Sequence, residues 1–182
     1  LQLFGAHNAR NAAAALAVGL GLGLDPEAMA RAMAEVEPVG DRGRVLRAGP
    51  HHLVADCYNA NPGSVEAALR SLATVTSEPP AKRIAILGDM LELGPEEVSI
   101  HKDLSRDPHL ANITEVHCVG PRMRHLYDAL PEAQRGHWVE TAQELTAHPA
   151  QLVDGGDVVL VKGSKGSKVS LIVDAIRKLG HR

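Results

Sequence analysis

Aromatic side chains are nearly missing: one Trp, two Tyr and one Phe in 182 residues, with a formal net charge of -3. Nucleic-acid binding wants a basic groove and stacking platforms, so a polynucleotide partner is excluded. No apolar run is long enough to cross a bilayer, and no membrane partner is expected. Only two cysteines occur, Cys57 and Cys118, far apart in sequence. They fit neither a disulfide framework nor a C-x-x-C metal site, which implies reduced thiols in a reducing, cytoplasmic compartment. Ten histidines are present, yet His51, His52, His101, His109, His117 and His125 show no H-E-x-x-H or finger spacing. No resident metal is expected. Also absent is a G-x-x-x-x-G-K-[ST] phosphate cradle, without which phosphoryl transfer from a nucleotide has no platform.

What is present is a chain 45% hydrophobic with mixed charge, the composition of a globular α/β protein. Strands are expected at 52–55, 83–87, 115–119, 137–139 and 157–161, with one more at 44–47, and helices at 62–75, 95–105, 122–130, 141–147 and 167–179. That alternation implies a mostly parallel sheet with helices on both faces. Ahead of it, 1–40 reads as a short helical segment. Its first helix puts Asn8 and Asn11 on one face, and its second starts at Asp25-Pro26-Glu27 and carries Met29, Met33 and Val36. The alanine-rich faces of these helices are expected to pack on a sheet that the chain does not supply. Gly40-Asp41-Arg42-Gly43-Arg44 reads as the linker to a second unit, 41–182.

Three strand ends carry polar groups. The stretch His52-Leu53-Val54-Ala55 runs into Asp56-Cys57-Tyr58-Asn59-Ala60-Asn61-Pro62, where Asn61 suits an N-cap and Pro62 a first helical position. The stretch Arg83-Ile84-Ala85-Ile86-Leu87 runs into Gly88-Asp89-Met90-Leu91-Glu92-Leu93-Gly94, and the third strand ends in Lys162-Gly163-Ser164-Lys165-Gly166-Ser167-Lys168. Ligands of open parallel sheets collect at such turns. The alternative is that these residues only cap helices, turn the backbone or form a solvated loop.

These motifs, in this order, with Gly5-Ala6-His7-Asn8-Ala9-Arg10-Asn11 near the start, resemble the peptidoglycan Mur ligases. Tyr58-Asn59-Ala60-Asn61 and Gly88-Asp89-Met90 resemble most the branch that adds D-alanyl-D-alanine to UDP-N-acetylmuramoyl-tripeptide. The resemblance implies a Rossmann-like C-terminal domain at 41–182, with 1–40 as the tail end of a central ATP-binding domain. It implies ATP and Mg2+ as cofactors of the complete enzyme and an acyl phosphate as the activated acid. By the same resemblance, His7, Asn8, Asn11, Arg44 and Asp56 contact ATP, with Arg42 a rival to Arg44, and Tyr58, Asn59, Asn61, Asp89, Lys162 and Ser164 line the dipeptide side. The alternative for Arg44 is an ordinary linker charge. Cys57 stands where the family has serine, and the loop after Ser164 lacks the family's arginine. His101 falls where the family places a histidine after its Glu-Leu-Gly segment. No residue is assigned to the bond-making step itself. The expectation is a monomeric C-terminal piece of a ligase, inactive and cofactor-free alone. The alternative is a stand-alone, non-catalytic nucleotide- or peptide-binding module.

Overall fold

The computed structural model describes residues 3, 5–40, 42–76 and 80–180. Asp41 of the expected linker, and the ends of the two expected units at 1–2 and 181–182, lie outside the described residues.

The chain opens with two helices, α1 (Ala6–Gly21) and α2 (Pro26–Ala34). As the Asp-Pro-Glu start predicts, the Asp25 side chain caps α2 by accepting from the backbone N–H groups of Glu27 and Ala28. Six strands follow: β1 (Arg44–Ala48), β2 (His51–Asp56), β3 (Arg83–Gly88), β4 (Glu115–Val119), β5 (Arg135–Val139) and β6 (Val158–Lys162). They form one sheet in the order β1-β2-β6-β3-β4-β5. The pairs β2–β6, β6–β3, β3–β4 and β4–β5 are parallel, and β1 pairs antiparallel at the edge. The expected α/β class and mostly parallel sheet are therefore found, and the optional strand at 44–47 is the edge strand.

Helices cover both faces because the parallel strands are apolar on both. On one face α3 (Pro62–Thr74), α4 (Glu97–Asp103) and α5 (Arg124–Ala129), with the cap residues Leu104 and Met123, pack through Leu69, Leu72, Leu104, Met123 and Leu126 onto Val54, Ala85, Leu87, Val116 and Leu160. On the other, α6 (Ala142–Thr146) and α7 (Ser170–Leu179) pack through Leu145, Ile172, Val173 and Ile176 onto Leu53, Ile84, Ile86, Val159 and Val161. The alternation of face along each strand follows from the two-residue period.

Several expected helices are shorter than their sequence pattern. The stretch 95–105 is a 3-10 turn, then α4, then a second 3-10 turn. Before α7, Lys165–Ser167 forms a 3-10 turn and Lys168 takes a left-handed conformation at φ 55°, so the helix starts at Ser170 rather than 167. In α1, the turn after it and the stretch after α2, Val18, Leu20, Leu22, Leu24 and Val39 are large apolar groups that stand exposed.

Topology positions the site. The chain leaves β2 and β3 toward α3 and α4 on one face, whereas β6, which lies between those strands, leaves toward α7 on the other. Adjacent loops that part to opposite faces open a crevice at the carboxyl ends of the strands.

Candidate functional site

All three polar loops meet at this crevice. Lys162 is in register with Asp56 of β2 on one side and with Leu87 of β3 on the other. The Lys162 side chain is only 2% exposed, and its Nζ donates to Asp56 Oδ2 at 2.6 Å and to the Asn59 carbonyl at 3.0 Å. A buried ammonium is costly unless it is paired and hydrogen-bonded, and here it is both. Ser164 joins the other two loops to the same centre. Its Oγ accepts from the Leu91 N–H at 3.0 Å and lies 3.4 Å from the Ala60 carbonyl, while its own N–H donates to the Asp89 carbonyl at 3.1 Å. Lys162 and Ser164 therefore act as ties between loops.

Asn61 accepts from the Ser64 N–H at 2.9 Å, and Ser64 Oγ accepts from the Asn61 N–H, a reciprocal cap on α3. Asn59 Oδ1 accepts from the Ala60 N–H. Asp89 is buried, and its carboxylate accepts from the Met123 N–H at 2.9 Å and faces Arg122 at 3.5 Å. Tyr58 is 49% exposed, so its ring and hydroxyl stand at the surface of the crevice. Cys57 Sγ donates to the Val161 carbonyl at 3.3 Å and packs with the opposite face of the sheet, away from the Asp56 side.

The second loop has a brace of its own. His101 is fully buried: Nδ1–H donates to the Glu97 carbonyl at 2.6 Å, and Nε2 accepts from the Met90 N–H at 3.0 Å. Those bonds need the neutral ring, and burial pushes the His101 pKa down, against a smaller opposing pull from its bond to Glu97. Arg122 Nε donates to Glu97 Oε2 at 2.6 Å, a bond that raises the Arg122 pKa further. The loop after β3 is thus held from α4 and from the turn before α5.

Two cavities flank the ties. One, about 280 Å3, is lined by His7, Asn8 and Asn11 of α1, Arg42 and Gly43 of the linker, Val54 and Asp56 of β2, Ala68 of α3 and Leu160 of β6. Four of the five residues expected on the nucleotide side, His7, Asn8, Asn11 and Asp56, thus share one cavity. Its fifth polar member is Arg42; Arg44 opens β1 opposite Ala55 and is exposed outside it. Asn8 Nδ2 lies 3.2 Å from His7 Nε2, which leaves the neutral ring's proton on Nδ1. His7 Nδ1 is buried and has no hydrogen-bond partner among the described residues. That atom is packed close to Gly5, so the polar groups that this cavity offers a ligand are the carboxamides of Asn8 and Asn11, the Asp56 carboxylate and Arg42. The volume falls just below the roughly 300–1,000 Å3 of ordinary small-molecule sites, space for a nucleoside rather than a whole triphosphate.

The other cavity, about 520 Å3, runs along the ends of β3, β4, β5 and β6, with Asp89, Gly120, Arg122, Thr141, Gly166 and Lys168 in its wall. Of the residues expected on the dipeptide side, only Asp89 lines it. Arg122 went unsingled in the sequence, although Gly120-Pro121-Arg122 is a fourth strand-end turn to which the same rule applies. Among the described residues no group of three or more His, Cys, Asp or Glu side chains could hold a metal ion.

Comparison with known proteins agrees with this architecture. Residues 41–165 match the family described as Mur ligase, glutamate ligase domain. The chain is 33% identical over 170 residues to a Rickettsia prowazekii protein named UDP-N-acetylmuramoyl-tripeptide–D-alanyl-D-alanine ligase, covering 92% of this chain and 37% of that protein. It is 30% identical over 182 residues to the Escherichia coli protein of the same name, covering 99% and 39%. A crystal structure of MurF from Acinetobacter baumannii superposes with a TM-score of 0.84 at 25% identity, over 96% of this chain and 38% of that one. The Thermotoga maritima MurF ligase in complex with ADP shares the fold, with a TM-score of 0.79 at 23% identity over 98% and 40%. The chain therefore spans somewhat over a third of the length of the relatives it matches. Family model, curated relatives and superposed folds agree: this chain belongs to the Mur ligases.

Proposed function

We propose that the chain serves as the C-terminal part of an ATP-dependent ligase that joins D-alanyl-D-alanine to UDP-N-acetylmuramoyl-tripeptide in the cytoplasm. One observation carries the reading: the loops with the family's motifs are joined through Lys162 and Ser164 at a single rim, directly beside a cavity that holds His7, Asn8, Asn11 and Asp56. The names of the relatives supply the substrates. In this reading 1–40 completes a central nucleotide-binding domain, 41–182 is the domain that closes over it, and the complete enzyme works as a monomer.

An ionised carboxylate is a poor electrophile in water. ATP supplies the activation by converting the tripeptide's terminal carboxylate to an acyl phosphate, with Mg2+ offsetting the phosphate charge. The residues of this chain bind and orient. The carboxamides of Asn8 and Asn11 offer donors and acceptors to the purine edge, and His7 Nε2 holds the Asn8 carboxamide in place. Asp56 Oδ2 is engaged by Lys162, which leaves Oδ1 to accept from a ribose hydroxyl. Arg42, which lines the cavity, faces the phosphates, with Arg44 at the start of β1 the rival for that task. On the acceptor side, Tyr58 and the Asn59 amide are the exposed groups able to meet the dipeptide, while Asn61, Asp89, Lys162 and Ser164 hold the loops that carry them. Aligning amine and acyl carbon in this way converts an encounter into a nearly unimolecular step. Among the described residues no acidic cluster would hold Mg2+, which in the complete enzyme would offset charge on the nucleotide phosphates.

The test incubates the complete protein with ATP, UDP-N-acetylmuramoyl-tripeptide and D-alanyl-D-alanine and reads products by mass spectrometry. The expected product is tripeptide plus dipeptide less one water, formed one-for-one with ADP and phosphate. Addition of a single amino acid in place of the dipeptide, or no ligation at all, overturns the proposal.

A further inference from the structure

Arg42 is the cation among the described residues that line the nucleotide-side cavity. The linker there lies outside helix and strand, and Gly40 and Gly43 on either side take positive φ of 58° and 68°, a conformation open chiefly to glycine. Among the described residues no carboxylate pairs with Arg42. What does hold it is a ring: the guanidinium carbon lies 3.8 Å from the centroid of the Tyr58 ring. At that distance the cation sits against the negative face of the aromatic quadrupole.

Tyr58 is a firm platform despite its exposed ring. Its chain neighbours Cys57 and Asp56 are tied to β6 through the Val161 carbonyl and Lys162, and the next residue, Asn59, gives its carbonyl to the same Lys162. The arginine thus rests on a tyrosine whose flanking residues are bonded to β6. The chain contains only two tyrosines, and this one leaves half its surface to solvent, which a purely packing role does not require.

We infer that Tyr58 is a positioning residue for nucleotide binding: its ring stacks the Arg42 guanidinium and aims it into the cavity shared with His7 and Asp56. The inference rests on the ligase reading for its ligand, ATP, and adds a specific division of labour. The arginine meets the nucleotide, and the tyrosine removes the entropy that the arginine would otherwise lose on binding.

The experiment measures KM for ATP, KM for the dipeptide and kcat in the complete ligase for Tyr58→Leu, Tyr58→Phe, Arg42→Ala and the Arg42→Ala/Tyr58→Leu double variant, with thermal melts alongside. Tyr58→Leu is expected to raise KM for ATP about three- to tenfold, the size of a cation–π contact at a half-exposed site. Tyr58→Phe keeps the ring and stays within about twofold of wild type for ATP, whatever it does to the dipeptide. The double variant is no worse than Arg42→Ala alone, since the tyrosine acts only through the arginine. A merely structural tyrosine would instead lower the melting temperature and leave KM for ATP in place.

An unchanged KM for ATP in Tyr58→Leu, an equal loss in Tyr58→Phe, or additive effects in the double variant would each overturn the inference. If the wild-type protein binds ATP by calorimetry but does not ligate, the ligase reading fails while the same four-way comparison is read in Kd. No ATP binding by the wild type overturns both.

Discussion

Replacing Lys162 by methionine should both destabilise the fold and loosen the loop that follows β2. Lys162 is 2% exposed and its ammonium meets Asp56 at 2.6 Å and the Asn59 carbonyl at 3.0 Å, so methionine keeps most of the buried aliphatic stem and removes only the charge and its bonds. Removing one partner of a buried pair costs ~3–5 kcal/mol, because the other charge is left without compensation. Asp56 is 25% exposed and borders a cavity that water can enter, which relieves part of that penalty. The expected loss is therefore ~2–3 kcal/mol, or roughly 5–10 °C in melting temperature for a chain of this size. Urea unfolding followed by circular dichroism reads the first effect as a lower midpoint at unchanged slope. Hydrogen exchange reads the second as faster exchange at 57–61. Converting Asp56→Asn in the Lys162→Met background removes the orphaned carboxylate and should restore at least ~1 kcal/mol. A loss below ~0.5 kcal/mol in the single variant, or unchanged exchange in the loop, would refute the view that this lysine ties the strand ends together.

Two further outcomes concern His117 in the sheet and Gly120 beside Asp89. His117 of β4 accepts from the His137 N–H through Nδ1, while its Nε2 lies 3.4 Å from Glu115 Oε1 without hydrogen-bond alignment. Burial first, then His137 and Lys82, pushes its pKa down to about 4. The unfolded imidazole takes up a proton near pH 6.5 that the folded one refuses, so stability is complete above that pH and falls as the pH drops toward about 4, by up to ~1.4 kcal/mol per unit. The urea midpoint of wild type should therefore fall more steeply between pH 6.5 and 4.5 than that of His117→Leu; parallel slopes would contradict this. Gly120 sits at φ 114°, and a Cβ there would collide with the Asp89 carboxylate. Gly120→Ala should cost ~1–3 kcal/mol in urea unfolding, and a change below ~0.5 kcal/mol would contradict the close approach.

Much of the fold was legible because its strands are short apolar runs bounded by turn residues, as Val158–Lys162 shows before its glycines. The start of β5 was not, because Arg135 and Gly136 carry no apolar signal; that strand is held by pairing with Val116 and by bonds from Arg135 to the end of α5. Strand order was legible only in part, since alternation gives parallel strands but says nothing of β6 inserting between β2 and β3. That insertion is what brings Lys162 against Asp56. At the strand ends, the polar residues were readable and the contacts they make were not. Nothing in Lys162 or Ser164 as letters distinguishes a buried tie from a ligand-facing group, and that Arg42 rather than Arg44 borders the cavity depends on the path of the chain before β1. Arg122 was passed over because its loop follows β4 with a single charged residue rather than a polar run.

The most direct test of the central claim, that a nucleotide sits between α1, β2 and α3 beside the joined strand ends, is photoaffinity labelling of the complete protein with an azido-adenine analogue of ATP, mapped by peptide mass spectrometry. The account predicts label in the peptides that carry His7 to Asn11 or Arg42, suppressed by excess ATP and reduced in Asp56→Ala. Label confined to the cavity between Gly120 and Lys168, or label that ATP does not displace, would contradict it.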